Sequence, residues 1–147
     1  MLTSGVSDAK PRPFLATAAI EAAPAISPNG HLIAYRSSVS AQSTQTDVYV
    51  ARFPDGSGTV KITDRGSGAP FWSRAGRSLF FVGAPGVLQA VQVSEGSPIQ
   101  VGTRQTLFPE KDFRVVGVAA DGKRFFAVRV PKIDPPSQMV FKTGCRT

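Results

Sequence analysis

The chain has 147 residues, 41% hydrophobic and 18% charged, with seventeen basic residues against ten acidic ones for a formal charge of +7. That length suits one domain able to bury roughly two-thirds of its unfolded surface, and the composition excludes a disordered polar tract. No stretch approaches the ~20 apolar residues needed to span a bilayer, and Met1 to Pro13 lacks the apolar core and cleavage site of a secretory signal.

In chain order, the first apolar triplet is Pro13-Phe14-Leu15, which reads as the end of a short strand over residues 10–15. Ala16 to Ala23 is rich in alanine but only eight residues long, below the ~12–15 that hold a helix in isolation. It reads as a loop with at most one helical turn. Next comes Ala25-Ile26-Ser27-Pro28-Asn29-Gly30-His31-Leu32-Ile33-Ala34-Tyr35, an apolar pair, a turn ending in glycine, and an apolar run. Asn-Gly supplies the positive φ that tight hairpins need. A third strand is expected at Asp47 to Phe53, stopped by Pro54-Asp55-Gly56, and a fourth at Val60 to Thr63.

After a link, Asp64 to Ala69, the pattern returns as Phe71-Trp72-Ser73-Arg74-Ala75-Gly76-Arg77-Ser78-Leu79-Phe80-Phe81. Strands follow at Val87 to Val93 and Gln105 to Phe108, then a link at Pro109 to Val115. The third copy is Gly117-Val118-Ala119-Ala120-Asp121-Gly122-Lys123-Arg124-Phe125-Phe126-Ala127, and Gln138 to Phe141 reads as its third strand. Gly30, Gly76 and Gly122 are separated by 46 residues and 46 residues. Four strands in such a period is the size of a propeller blade, ~40–50 residues. The apolar runs after each turn are unbroken, as expected of strands covered on both faces. The expected fold is all-β: a partial β-propeller of about three four-stranded blades. The blades occupy 22–63, 68–108 and 113–142, the last incomplete, with 10–15 the last strand of a preceding blade.

At these hairpins the chain resembles the TolB-like propeller family, bacterial relatives of the WD-repeat propellers. Blades of that family open with a pattern close to Trp-Ser-Pro-Asp-Gly-Lys/Arg. Here it stands as Ile26-Ser27-Pro28-Asn29-Gly30-His31, more loosely as Trp72-Ser73-Arg74-Ala75-Gly76-Arg77, and as Ala120-Asp121-Gly122-Lys123. The stretch from Asp47 through Trp72 to Val93 is similar to propellers attached in many bacteria to serine/threonine protein kinases or winged-helix regulators. The resemblance covers about Lys10 to Phe141. It implies about six blades where this chain holds about three. Such an arc exposes two sheet edges and a blade face at each end, which closed propellers avoid. The chain is therefore expected either to be part of a longer protein or to self-associate to close the ring.

Little in the sequence points to catalysis. His31, the single histidine, follows a hairpin glycine, and no Gly-x-Ser-x-Gly elbow accompanies it. Asp112-Phe113-Arg114 approaches the Asp-Phe-Gly of kinases without the other kinase motifs, and Gly66-Ser67-Gly68 lacks a third glycine and a Walker lysine. The single cysteine, Cys145, can make neither an internal disulfide nor a zinc site. No cofactor or metal is expected. Ser, Asn and Asp at the turns are expected to fix the hairpins, and Trp72, Phe71, Phe80 and Phe81 to fill the spaces between blades. The basic residues are scattered in runs no longer than two, which does not favour nucleic acid.

Propellers work at the loops around one mouth of the central channel, and rigid sheets often carry binding on such loops. The blade-to-blade links contain Glu21, Arg65, Lys111, Asp112 and Arg114, the candidate ligand-binding residues. Arg36 to Gln45 and Pro131 to Ser137 are the other loops expected at that mouth. The plainer reading of each is a solvated rim charge. The expected function is a non-catalytic binding or scaffold module for a protein or peptide partner, in a sensory or interaction segment of a bacterial signalling protein. The alternative is the propeller portion of a kinase or peptidase whose catalytic domain lies outside this chain. As it stands the chain is expected in the cytoplasm; a periplasmic or extracytoplasmic place fits if it belongs to a longer protein.

Overall fold

The structure, a computed structural model, describes residues 13–15, 17, 19–65 and 68–131. Lys10 to Arg12, Gly66, Ser67, the strand expected at Gln138 to Phe141, most of the loop Pro131 to Ser137, and Cys145 lie outside them.

Three hairpins with one hydrogen-bonding plan organise the chain. In the first, the Ser27 amide donates to Leu32 O at 2.8 Å, and the Gly30 amide to Ser27 O at 2.8 Å. In the second, Ser73 and Gly76 make the same bonds, to Ser78 O at 2.8 Å and Ser73 O at 2.9 Å. In the third, Ala119 donates to Arg124 O at 2.7 Å and Gly122 to Ala119 O at 2.9 Å. Gly30, Gly76 and Gly122 have φ of 78°, 71° and 69°, a region open to glycine without a Cβ clash. The regular spacing of the glycines is thus a regular structure.

Each hairpin begins a blade. Blade 1 is an antiparallel sheet in simple order: β1 (Glu21–Ile26), β2 (Leu32–Ser38), β3 (Thr46–Arg52) and β4 (Val60–Lys61). Blade 2 contains β5 (Phe71–Trp72), β6 (Ser78–Gly83) and β7 (Val87–Ser94). Two strands then share one edge of β7. β8 (Gln100–Val101) pairs with its end at Val93 and Ser94, and β9 (Gln105–Pro109) with its beginning at Val87 to Ala90. Blade 3 shows two strands among the described residues, β10 (Phe113–Val118) and β11 (Phe125–Arg129). The described residues contain no α-helix.

Alternation along the strands decides which face meets which neighbour, because successive side chains point to opposite sides of a sheet. From blade 1, Leu32, Ala34, Val48, Val50 and Ile62 pack against Leu79, Phe81, Val91, Val93 and Ile99 of blade 2. The other face of blade 2, with Phe80, Val82, Leu88 and Ala90, meets Val115, Val118 and Phe125 of blade 3. Trp72 sits in the first interface, where its indole N–H donates to Ala25 O at 2.8 Å. Phe80 stacks on Phe71 at 5.3 Å between ring centres and meets Phe125 edge-on at 5.4 Å. The four aromatics expected between blades are there.

The sequence reading needs four corrections. Pro13-Phe14-Leu15 forms no strand; Phe14 and Leu15 lie against Ile33, Tyr35 and Ala51 on the front of blade 1. β8 was not foreseen, since two residues bounded by Pro98 and Gly102 carry too little pattern to be recognised. Glu21 and Arg114 fall in β1 and β10 rather than in links, because pairing with β2 and β11 extends those strands. The run after the third turn is not covered on both faces: Phe125 is partly buried, but Phe126 is 61% exposed.

Candidate functional site

Among the described residues, the links bind the loops that follow the second strands of blades 1 and 2. Ile20 and Ser38 bind each other, the Ser38 amide donating to Ile20 O at 3.1 Å and the Ile20 amide to Ser38 Oγ at 2.9 Å. One blade on, Ala84 in the β6–β7 turn donates its amide to Arg65 O at 2.9 Å. The far side of the same turn receives the next link, as the Glu110 amide donates to Gly86 O at 2.9 Å. Arg65 and the Glu110–Asp112 link therefore flank one tight turn.

The five expected residues do not form one cluster. Glu21 accepts a hydrogen bond from Thr17 Oγ1 and lines a depression on the front of blade 1. Arg65 is exposed and lines a small depression of about 210 Å³ with Thr63, Asp64, Gly83, Gln89 and Arg104. Lys111 and Asp112 are exposed in the second link, where Asp112 O accepts the Val130 amide at 3.0 Å. Arg114 reaches Glu110, Nη1 to Oε2 at 3.7 Å. Among the described residues, no hydrogen bond or ion pair joins any two of the five.

Three neighbours escaped the sequence reading. The Glu110 side chain is only 3% exposed and accepts the Val115 amide at 2.6 Å, so it braces the link against blade 3. Arg104 reaches the Asp64 carboxylate at 3.5 Å across the depression beside Arg65. Gln89, on β7, supplies its wall. The signal for Glu110 was its place at the end of β9, where a carboxylate meets the free amides of the next strand; single charged residues in a sequence do not advertise such partners. Deeper in blade 1, the buried Asp47 carboxylate meets Lys61 Nζ at 3.0 Å and accepts from Thr63 Oγ1 at 3.4 Å. Its hydrogen bond holds the Lys61 ammonium above the usual lysine range.

The opposite end of the blades is tied by polar side chains. His31 Nδ1 lies 3.0 Å from the Glu95 carboxylate, to which Asn29 Nδ2 also donates. Arg52 donates to Gly96 O and, at 3.2 Å, to Ser97 Oγ. His31 is therefore a clasp between blades 1 and 2. Asn29, Asp55 and Asp121 each accept backbone amides within their own turns, the structural role expected of turn residues. Among the described residues, no three of His, Cys, Asp and Glu gather in a way that would hold a metal, and no helix is long and apolar enough to cross a membrane.

No protein-family model matches the chain, and no curated protein matches it. Solved structures are similar to the chain, these two among them. The crystal structure of TolB from Acinetobacter baumannii superposes with a TM-score of 0.53 and 26% identity, covering 79% of this chain and 28% of that one. The β-propeller domain of the Trilobed protease from Pyrococcus furiosus gives a TM-score of 0.39 and 16% identity, over 76% of this chain and 50% of that one. The chain thus spans about a quarter of the first structure and half of the second. Three equivalent hairpins, interlocked sheets and the likeness to TolB agree on the architecture: this is a partial β-propeller of TolB-like fold.

Proposed function

We propose that the chain is a non-catalytic binding module that takes a protein or peptide segment at the link end of its blades, as an interaction or sensory part of a bacterial signalling protein. One observation carries the reading: exposed Arg65 and Lys111 are held on either side of a single tight turn whose backbone is hydrogen-bonded to both links. Arg65 lines a depression with Asp64, Gln89 and Arg104, and Lys111 stands exposed in the link on the other side of the turn. A peptide with spaced acceptors suits such a rim.

A random-peptide display library selected on the full chain tests this. Peptides that bind are expected to lose about tenfold or more in affinity to a chain carrying Arg65→Glu and Lys111→Glu. The circular-dichroism spectrum of that variant should be unchanged. Selected peptides that bind the variant as well as the original chain would remove the link end from consideration.

A further inference from the structure

The back of blade 3 breaks a rule that the rest of the chain obeys. Phe80 and Val82 of β6 face the following blade and are each 5% exposed. Phe126 and Val128 stand 46 residues later at the same positions of β11, yet they are 61% and 57% exposed. Val116, on the neighbouring strand β10, is 60% exposed. A surface built like an interior interface stays uncovered among the described residues.

The front of blade 1 carries the matching half. Trp72 closes the front of blade 2; its counterpart 46 residues earlier, Ile26, is 49% exposed. Beside Ile26 lies an open groove of about 450 Å³ between Phe14, Glu21, Pro24, Ile33 and Tyr35. Phe14 already occupies a telling place there. Ile62 and Phe108 follow the third strands of blades 1 and 2, and each packs on the blade that follows. Phe14, 48 residues before Ile62, packs on blade 1 in the same way.

We propose that a second copy of this chain fills both openings: the back of blade 3 in one copy seats on the front groove of blade 1 in the other, and the reverse contact forms by symmetry. The occupant is a second copy because the chain bears both halves of an interface that it already uses twice internally. One copy cannot join its own ends, since blade 2 lies between them. Two copies of three blades close a ring of six, within the ~4–8 blades of known propellers, and a two-fold axis makes the two contacts identical. The inference rests on the blade arrangement and not on the peptide-binding reading, so the two succeed or fail separately.

Sedimentation of the full chain tests it. The expected species has twice the 15.5 kDa mass of one copy, and Phe126→Asp should weaken association by about thirtyfold or more. Ile26→Asp should weaken it from the other side. The decisive arm mixes the two variants. A mixed pair retains one contact with neither substitution, so dimers should reappear on mixing although each variant alone stays monomeric. Far-UV circular dichroism confirms that both variants are folded, with Val128→Lys as a second back-face variant. A monomer at every concentration, an open-ended series of larger species, a dimer indifferent to Phe126→Asp, or a mixture without rescue would each overturn the proposal.

Discussion

The two ends of this molecule are built from the same repeat and have different fates. At the front of blade 1, Ile33 and Tyr35 are 5% and 6% exposed, because Phe14, Leu15 and Phe53 lie over them. Phe14 meets Tyr35 edge-on at 6.3 Å and Phe53 at 5.9 Å, and Tyr35 stacks on Tyr49 at 5.8 Å. At the back of blade 3 the apolar row of Phe126 and Val128 has no cover among the described residues. The contrast teaches that a blade is not a self-sufficient unit. Its sheet supplies two apolar faces, and burial of each depends on what the chain places beside it.

The largest test sets one strand position against itself. Phe80→Ala should destabilise the chain by about 3–5 kcal/mol, since it removes a ring packed between Phe71 and Phe125 and leaves a cavity. Phe126→Ala, 46 residues on, should change the stability of the dilute, monomeric chain by no more than about 0.5 kcal/mol. Urea unfolding of both variants measures the difference. Equal losses would mean that the back face is buried in the single copy after all, and the contrast between the ends would vanish.

A smaller effect probes the covered end. Phe14→Ala should cost about 1–2 kcal/mol, as expected for a half-buried ring. It should also act on Tyr35, whose phenol is pushed above the usual tyrosine value chiefly by burial. With the raised value in the folded state, the unfolded chain loses its proton first as pH rises. The resulting stability is complete below the ordinary tyrosine value and is lost as pH climbs through the folded one. Removing Phe14 admits water, so the Tyr35 titration followed by ultraviolet absorbance should move down toward the ordinary value. A titration left unmoved would show that Phe14 does not seal this face.

How much of this was legible beforehand depends on whether the signal was local. The turns were readable because Asn29-Gly30 and Asp121-Gly122 declare themselves through backbone conformation alone, and Gly76 follows by spacing. The alternation that sends Phe80 one way and Phe81 the other was implicit in the strand period. The uncovered state of Phe126 was not, because exposure belongs to the neighbour and not to the residue. Of the five residues expected in links, Glu21 and Arg114 fall in strands, and the separation of Arg65 from Lys111 and Asp112 was invisible beforehand. It depends on how the β6–β7 turn wedges between Arg65 and Glu110. Arg104 owes its place to Asp64, far away in sequence, and Glu110 to an amide of the next strand, and no pattern in the sequence names such partners.

The finest distinction between the ends lies in how their hairpins are fastened. In blade 1, Ser27 Oγ accepts the Leu32 amide at 3.0 Å and donates to Asn29 Oδ1 at 2.6 Å, so neutral groups close the turn. Ala119 has no hydroxyl, and in blade 3 the Asp121 carboxylate takes over. It accepts the Lys123 and Arg124 amides at 2.9 and 3.2 Å, and Arg124 Nε donates to it at 2.8 Å. Those hydrogen bonds, the Lys123 amide first, hold Asp121 below the usual carboxylate range. For a lowered carboxyl group the stabilisation is present above the unfolded value and fades as pH falls through the folded one. Acid should therefore loosen the Arg124 amide of the blade 3 turn, whereas the Leu32 amide of blade 1 rests on the Ser27 hydroxyl and not on the Glu95 carboxylate that binds Asn29 and His31 of the same turn. Amide hydrogen exchange should show it as faster exchange at Arg124 than at Leu32 once the intrinsic pH dependence is divided out. Asp121→Asn should abolish the difference in pH response while preserving an acceptor for the Lys123 amide. A Leu32 amide that loosens in the same acid range would mean that the two fastenings respond alike, and the electrostatic part of the contrast between the ends would be wrong.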